Sequence, residues 1–418
     1  MTIKDEKGMR VAKLIKVDAD ANNNKYYNMF EQSDGTFKAI YGRVGSTKTV
    51  RIYEIHKWDE VYRKRIHSSG YTDKTDLFIK EENSTTNSID ISNSEVKRLV
   101  ERLLEYANKS IKRNYTVSAE QVTQKQVDRA QDLINQIKAE MNNLRVGSNT
   151  NRINQMLIDL YAIIPRKMKK VESHIIPGDQ IVNEGAIKWA GGLVNNEQDT
   201  LDVMKGQVVK PIKMDNGNGD FLKSHGLLIE KITGKEADKL TSSVNKTNKT
   251  YRVKVRQIYK IKNFKTQEKF DKFVNNSLFT KTLLLYHGSR NQNWWNIVKL
   301  GLLLYPNAIK TGAMFGNGIY FANKSQKAIG YSSIKESYWN NENEKLAYLS
   351  IYQVHTGKSY NTDRRESWMH GLNEKGLKSK GVYNSLFIKG GYDLENDELV
   401  IYNEAQCSIK YLVEIEER

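Results

Sequence analysis

The sequence predicts a multidomain α+β protein in which a small antiparallel-sheet domain is followed by an all-α helical bundle and then by a mixed, β-rich domain. Three observations predict it. At 418 residues the chain exceeds what one hydrophobic core usually fills. Two polar, turn-rich stretches, KEENSTTNS at 80–88 and MDNGNGD at 214–220, punctuate it. Between them the apolar residues recur at helical spacing, and on either side they form short strand-like runs. The expected domains are therefore 1–85, 92–212 and 220–418.

In the first segment, runs such as Arg10 to Val17 and Lys38 to Tyr41 alternate with turn signals such as SDG at 33–35, the pattern of a small antiparallel sheet. A helix is expected near 54–66. The second segment opens with Ser92 three residues before Glu95, a capping-box pattern, and Val96, Leu99, Val100, Leu103 and Leu104 then keep helical spacing. Ser118 and Gln121 repeat the pattern ahead of a stripe of Val127, Ala130, Leu133, Ile134, Ile137 and Met141. Ile153, Met156, Leu157, Leu160 and Tyr161 form a third stripe, stopped near Pro165, and Leu201, Met204 and Val208 a fourth. Stripes of this kind are the core of a bundle. The third segment carries strand-like runs at 251–261, 282–288, 346–354, 399–402 and 408–416 with few long helices between them. Neither GxGxxG nor GxxxxGK[ST] occurs, so any nucleotide is held without those loops.

Composition narrows the function classes. The chain is 39% hydrophobic and 28% charged, with a mean hydropathy of −0.66, as in a soluble globular protein. Its 66 Lys and Arg against 49 Asp and Glu give a formal charge of +17, which attracts polyanions, nucleic acid first among them. A single cysteine, Cys407, excludes a disulfide framework and a Cys-rich zinc site and suits a reducing compartment. The N-terminus lacks the apolar core of a secretory signal, and no stretch approaches the ~20 apolar residues of a membrane span, so no membrane partner is expected.

The most informative stretch runs from Leu283 to Ser333. A strand-like run ends in His287-Gly288-Ser289, the segment Thr311 to Ala322 reads TGAMFGNGIYFA, and Tyr331 follows a short helix later. Nearer the C-terminus, NDELVIYNEAQ places Glu398 ahead of an apolar strand. Together these resemble the catalytic core of the poly(ADP-ribose) polymerase family, in the same order. The resemblance implies NAD as co-substrate, no metal, and a triad of His287, Tyr320 and Glu398. Splitting the nicotinamide-ribose bond builds oxocarbenium character on the sugar, as in glycoside hydrolysis. A carboxylate such as Glu398 can orient that ribose and stabilise its charge. The resemblance places His287 on the adenine-side ribose, the backbone of Gly288 on the carboxamide, Tyr331 and Tyr320 about the nicotinamide ring and Lys327 beside the site, with Ser289 also among the NAD-binding residues. Two positions depart from the family pattern: Ala328 stands where a serine is common, and Leu303 where an arginine often follows GL.

The other segments resemble the same family. Tyr41-Gly42-Arg43-Val44-Gly45 resembles the core of the WGR domain with tyrosine for tryptophan, which implies that Tyr41 and Arg43 engage the sugar and phosphate of a DNA end or nick. The bundle resembles the helical regulatory domain, which implies that it blocks NAD access until DNA is bound. The expected function is thus a DNA-break-stimulated transferase of ADP-ribose to proteins, itself included, with possible elongation and a role in the DNA damage response. The alternatives are a DNA-end-binding module that has lost turnover, as Ala328 and Leu303 would allow, and a strictly mono(ADP-ribosyl)transferase. The family resemblance implies the nucleus in a eukaryotic cell, and otherwise the cytoplasm or nucleoid.

Overall fold

The computed structural model describes residues 3–5, 7–78, 89–208, 221–304, 314–338 and 342–418. Both polar stretches, 80–88 and 214–220, lie outside the described residues, as does Thr311 of the TGAMFG motif. The chain divides into two compact units. One takes in the described residues of 1–85 and 108–209, the other those of 86–107, 210–308 and 312–418.

In the N-terminal unit, β1 (Val11–Asp18), β2 (Asn23–Glu31), β3 (Thr36–Arg43), β4 (Thr49–Glu54) and the short β5 (Thr72–Asp73) form an antiparallel sheet in the order β4-β3-β2-β1-β5. Alternation turns Ala12, Leu14, Tyr27, Met29, Phe37 and Ala39 inward, where Trp58 of α1 (Trp58–Arg63) covers them. Three helices of the same unit follow the predicted stripes: α3 (Gln124–Met141), α4 (Asn151–Ile163) and α5 (Glu184–Val208), with Val127, Ile134, Ile137, Leu157, Tyr161, Val194 and Met204 buried. The sheet and the helices are tied by polar contacts: the Asn24 amide donates to the Arg166 carbonyl at 3.0 Å, and the Thr123 hydroxyl to that of Leu77 at 2.6 Å. Arg166 pairs with the buried Glu197 at 2.9 Å.

The chain passes into the C-terminal unit at 85/86, where the first segment is expected to end, and back at 107/108. The second division falls inside α2 (Ser94–Asn114), because Val96, Leu99, Val100 and Leu103 enter the core of the C-terminal unit beside Leu227, Tyr259, Tyr348 and Leu412. Two capping details also differ from the sequence reading. The cap of α2 is Asn93, not Ser92: its Oδ1 accepts from the N–H groups of Glu95 and Val96 at 3.0 and 3.1 Å, while the Glu95 carboxylate pairs with Lys231. Ser118 and Gln121 cap only one 3-10 turn. The helix α3 starts at a second box, in which Thr123 and Gln126 bond each other reciprocally.

The C-terminal unit opens with α2's first half and continues with α6 (Phe221–Ser224), β6 (Leu227–Ile232), α7 (Gly234–Lys246), β7 (Val253–Asn263), α8 (Phe264–Asn275), β8 (Thr282–Gly288), α9 (Trp294–Leu300) and β9 (Ile319–Ala322). Then come α10 (Ser325–Ile329), β10 (Leu346–His355), β11 (Ser359–Thr362), α11 (Glu374–Lys378), β12 (Ser385–Ile388), β13 (Glu398–Ile401) and β14 (Cys407–Glu417). Among the described residues these strands make one nine-stranded sheet, β11-β12-β13-β9-β8-β10-β14-β7-β6, antiparallel except between β11 and β12. Two apolar layers cover much of it: one holds Tyr259, Trp294, Phe321 and the buried Cys407, the other Val244, Tyr286, Ala328 and Ile351. A buried ion pair pins α2 to this sheet, Arg102 Nη1 lying 2.5 Å from Glu414, which also accepts from the Tyr348 hydroxyl at 3.2 Å. No described helix is long and apolar enough to cross a membrane.

Candidate active site

Sheet order brings the C-terminal candidates together. The strands β13, β9 and β8 are immediate neighbours, so Glu398, Tyr320 and His287, up to 111 positions apart in sequence, sit on three adjacent strands. Glu398 registers with Ala322, Val400 with Tyr320, and Tyr286 with Ala322. By this alternation Glu398, Tyr320 and Gly288 share one face of the sheet, and His287 is turned to the other. There its ring lies 5.8 Å from that of Phe321, and Nδ1 is 3.0 Å from the Tyr320 backbone carbonyl. The link between His287 and Tyr320 seen here is thus through the backbone of β9.

Gly288 has a steric reason to be glycine. A Cβ built on it would lie 1.8 Å from the carbonyl oxygen of Ala328 and 2.6 Å from its carbon, so the end of β8 touches the backbone of α10. That approach sets α10 over the sheet and delivers Lys327, whose Nζ is 2.7 Å from Glu398 Oε1. Both side chains are largely enclosed, at 15% and 9% exposure. Burial pushes the Glu398 carboxyl above the usual carboxylate range, and Lys327 draws it partly back. A buried carboxylate held by one ammonium is suited to meeting positive charge that develops only during reaction.

Tyr320 is held by the loop before its own strand. Its hydroxyl donates to the Gly316 carbonyl at 2.7 Å and accepts from the Phe315 N–H at 3.1 Å. Burial, and then the charge of Glu398, keep that phenol above the ordinary tyrosine value. Gly316 adopts φ +87°, and a Cβ there would fall 2.4 Å from the Leu372 carbonyl oxygen, so the MFGNG turn requires glycine at this point. Tyr331, 41% exposed, follows α10 directly. The Ser289 hydroxyl accepts from the Asn293 amide at 3.0 Å. Ala328 is buried against Tyr286 and Ile329, and Leu304, next to Leu303, donates its N–H to Glu404 at 2.6 Å.

Sequence reasoning missed the residues that frame Glu398. Asn396 Oδ1 accepts from Lys324 Nζ at 3.1 Å and from Gln326 Nε2 at 3.0 Å. Asp397 accepts from Asn323 Nδ2 and from the Gly390 N–H, each at 2.8 Å. Four side chains from 323–327 therefore grip the consecutive residues Asn396, Asp397 and Glu398. The only signal was a run of polar residues, NKSQK, opposite another, END.

In the N-terminal unit, Tyr41 stacks on Tyr27 at 5.0 Å, and the Arg65 guanidinium lies 4.1 Å from the Tyr27 ring and 6.0 Å from that of Tyr41. No motif in the sequence marks Arg65. Arg43 is engaged by protein: Nη1 donates to the Asn22 carbonyl at 2.6 Å, and Nη2 to Asn22 Oδ1 at 3.1 Å and to the Lys169 carbonyl at 2.9 Å. A phosphate reaching Arg43 would compete with these acceptors.

Residues 234–417 match the model of the poly(ADP-ribose) polymerase catalytic domain. A putative poly(ADP-ribose) polymerase-like protein, 100L, of Invertebrate iridescent virus 6 is 34% identical over 187 residues, covering 43% of this chain and 93% of that protein. The uncharacterized protein 101L of the same virus is 32% identical over 213 residues, 51% of this chain and 84% of that one. Human poly(ADP-ribose) polymerase 2 is 27% identical over 202 residues, 42% of this chain and 33% of its own length.

Proposed function

Because the chain belongs to the poly(ADP-ribose) polymerase family and is an NAD+ ADP-ribosyltransferase, we propose that its transfer to protein acceptors, itself included, is switched on by DNA ends or nicks. The observation that carries the reaction is Glu398, buried, paired with Lys327 and set on the strand beside Tyr320. In this reading NAD is the substrate. Glu398 orients the nicotinamide-side ribose and stabilises the cation that forms as the glycosidic bond breaks. The backbone at Gly288, beside Ser289, holds the carboxamide, and Tyr331 covers the nicotinamide ring with Tyr320 at its flank; His287, which faces away from Glu398, is given the adenine-side ribose by the family resemblance alone. Lys327 restrains the Glu398 carboxylate until the sugar arrives.

For the DNA response, support comes from the antiparallel sheet that carries YGRVG and from the aromatic and cationic stack of Tyr27, Tyr41 and Arg65. We read that sheet as a WGR domain, and the helices after it as the element that restrains NAD access until DNA shifts the population. A role in the DNA damage response goes with this reading, in the nucleus of a eukaryotic cell or otherwise in the cytoplasm or nucleoid. The test is nicotinamide release from NAD by the full chain, with and without nicked duplex DNA. A several-fold rise with DNA is expected. Equal rates would remove the DNA-dependent part of the proposal, and no release under either condition would favour a DNA-end-binding module.

A further inference from the structure

The positive charge of the chain is unevenly placed. Residues 1–80 carry 16 Lys and Arg against 11 Asp and Glu, residues 81–220 carry 19 against 19, and residues 221–418 carry 31 against 19. A general lysine bias would have raised all three together, so a net of +12 belongs to the part that holds the transfer site. Most of it lies early: residues 221–275 hold 14 Lys and Arg against 5 Asp and Glu.

Helix α7 shows how this charge is arranged. Lys235, Lys239 and Lys246 fall within about 40° of one another around its axis, and all three are exposed. The opposite side is apolar, with Val244 buried and Leu240 packed beside it. Of the helix's two acids, Glu236 is held by Lys260 at 3.2 Å and by the Tyr411 hydroxyl at 2.7 Å, which leaves Asp238 against three lysines. Lys249 and Arg252, also exposed, extend the charge beyond the helix. No carboxylate among the described residues forms an ion pair with any of the five.

The stripe leads to the site. Thr247 Oγ1 donates to Ser325 Oγ at 2.9 Å, and the Lys249 N–H donates to Gln326 Oε1 at 3.1 Å. Both hydrogen bonds fall on α10, the helix that carries Lys327 to Glu398. We propose that Lys235, Lys239, Lys246, Lys249 and Arg252 form a track that holds an ADP-ribose chain by its diphosphates beside the point of transfer. Each unit of such a chain carries two phosphates, and a row of exposed cations, four ammonium groups and one guanidinium, binds phosphates without reading sequence. An ADP-ribose chain fits better than duplex DNA because the track runs to the place where ADP-ribose is joined, in the unit that lacks the YGRVG sheet. The proposal rests on the reading that the protein extends chains beyond a first unit.

The experiment uses the full chain and its K235Q/K239Q/K246Q variant, with purified, end-labelled ADP-ribose oligomers of about ten units and, separately, nicked duplex DNA as probes. The variant should bind the oligomer at least tenfold more weakly, and its log-log salt slope should fall by about 2, since each phosphate that is no longer neutralised takes away about 0.7. It should bind nicked DNA as the parent does, release nicotinamide at the parent's initial rate, and make shorter product. The matching lysine-to-arginine variant should restore oligomer binding, and thermal melting shows that each variant is folded. Unchanged oligomer binding by the folded variant overturns the track, and an equal loss toward DNA reassigns the face to nucleic acid and overturns it too. If the parent releases no nicotinamide, the functional reading fails, while oligomer binding by parent and variant still decides the track.

Discussion

Replacing Gly288 by alanine tests how the active site is assembled. The added Cβ would lie 1.8 Å from the Ala328 carbonyl oxygen, 2.6 Å from its carbon and 3.0 Å from its Cα. Separations under 3.0 Å are essentially never adopted by real Cβ atoms, so the end of β8 and α10 must part by at least 1.2 Å. Rotamer changes cannot relieve this, because the obstruction is backbone. Lys327 rides on α10, and a displacement of this size takes its ammonium out of hydrogen-bond reach of Glu398, now 2.7 Å away. Overpacking of this kind costs about 1–3 kcal/mol of stability, and a misplacement near 1 Å at reacting groups costs roughly a hundredfold in rate. The assay is initial nicotinamide release at saturating NAD, with thermal melting alongside. Gly192→Ala serves as a control: nothing lies within 4 Å of its added Cβ in α5, and it should stabilise by about 0.5–1 kcal/mol with no loss of rate. If Gly288→Ala keeps a rate within threefold of the parent, the approach of β8 to α10 does not set the site's geometry.

Five further outcomes are expected. Glu398→Gln should lower transfer by roughly 10²–10³ while calorimetry still finds NAD bound, since the carboxylate acts on charge formed in the transition state; loss of NAD binding would instead make Glu398 a ground-state anchor. The acid limb of the pH-rate profile should lie above the usual carboxylate range, because the buried Glu398 keeps its proton to higher pH and reacts as the carboxylate. Lys327→Met should move that limb higher still, as it removes the charge that draws the carboxyl down, and a limb that moves lower would contradict the pairing. Asn396→Ala removes two hydrogen bonds at about 1 kcal/mol each, and should lower kcat by up to about thirtyfold with KM for NAD unchanged; a rise in KM alone would assign Asn396 to substrate binding. Arg102→Met strips the nearer partner from buried Glu414 and should cost about 3 kcal/mol, read by denaturant melting of the C-terminal unit.

Local elements were legible because local physics fixes them. The runs at 251–261, 282–288 and 346–354 became β7, β8 and β10 within two residues at each end, since alternating β-branched and aromatic residues fit few other surfaces. Helical stripes were equally plain, but a stripe does not say which core it enters. The side chains of Val96, Leu99 and Val100 suit a bundle as well as the C-terminal sheet they cover, and only the fold decides between them. In consequence a fragment begun near residue 220 would uncover that apolar surface, so an activity measured on it would not report on the intact unit. What lay beyond the sequence is non-local. Nothing in HGS, GIYFA or NDELV states that their strands are neighbours in the order β8, β9, β13, nor that His287 faces away from Glu398. Arg43 meets the Lys169 carbonyl across 126 positions, and no spacing rule reaches that far.

Cys407, the one cysteine of the chain, is packed at 3% exposure in the apolar cluster that also holds Trp294 and Tyr352, with Sγ 3.6 Å from the Glu404 carbonyl oxygen. Burial holds its thiol well above the ordinary range, so the thiolate that maleimides and iodoacetamides attack is scarcely present in the folded protein. The native chain is therefore chemically silent toward such reagents. A cysteine introduced at one exposed position, Lys57 in the N-terminal unit or Lys375 in the C-terminal one, would be the sole site of modification, and a pair of them would carry a donor and an acceptor dye with Cys407 left in place. Energy transfer between the two could then follow the separation of the units as nicked DNA is added, in a protein that differs from its parent only at the labelled positions.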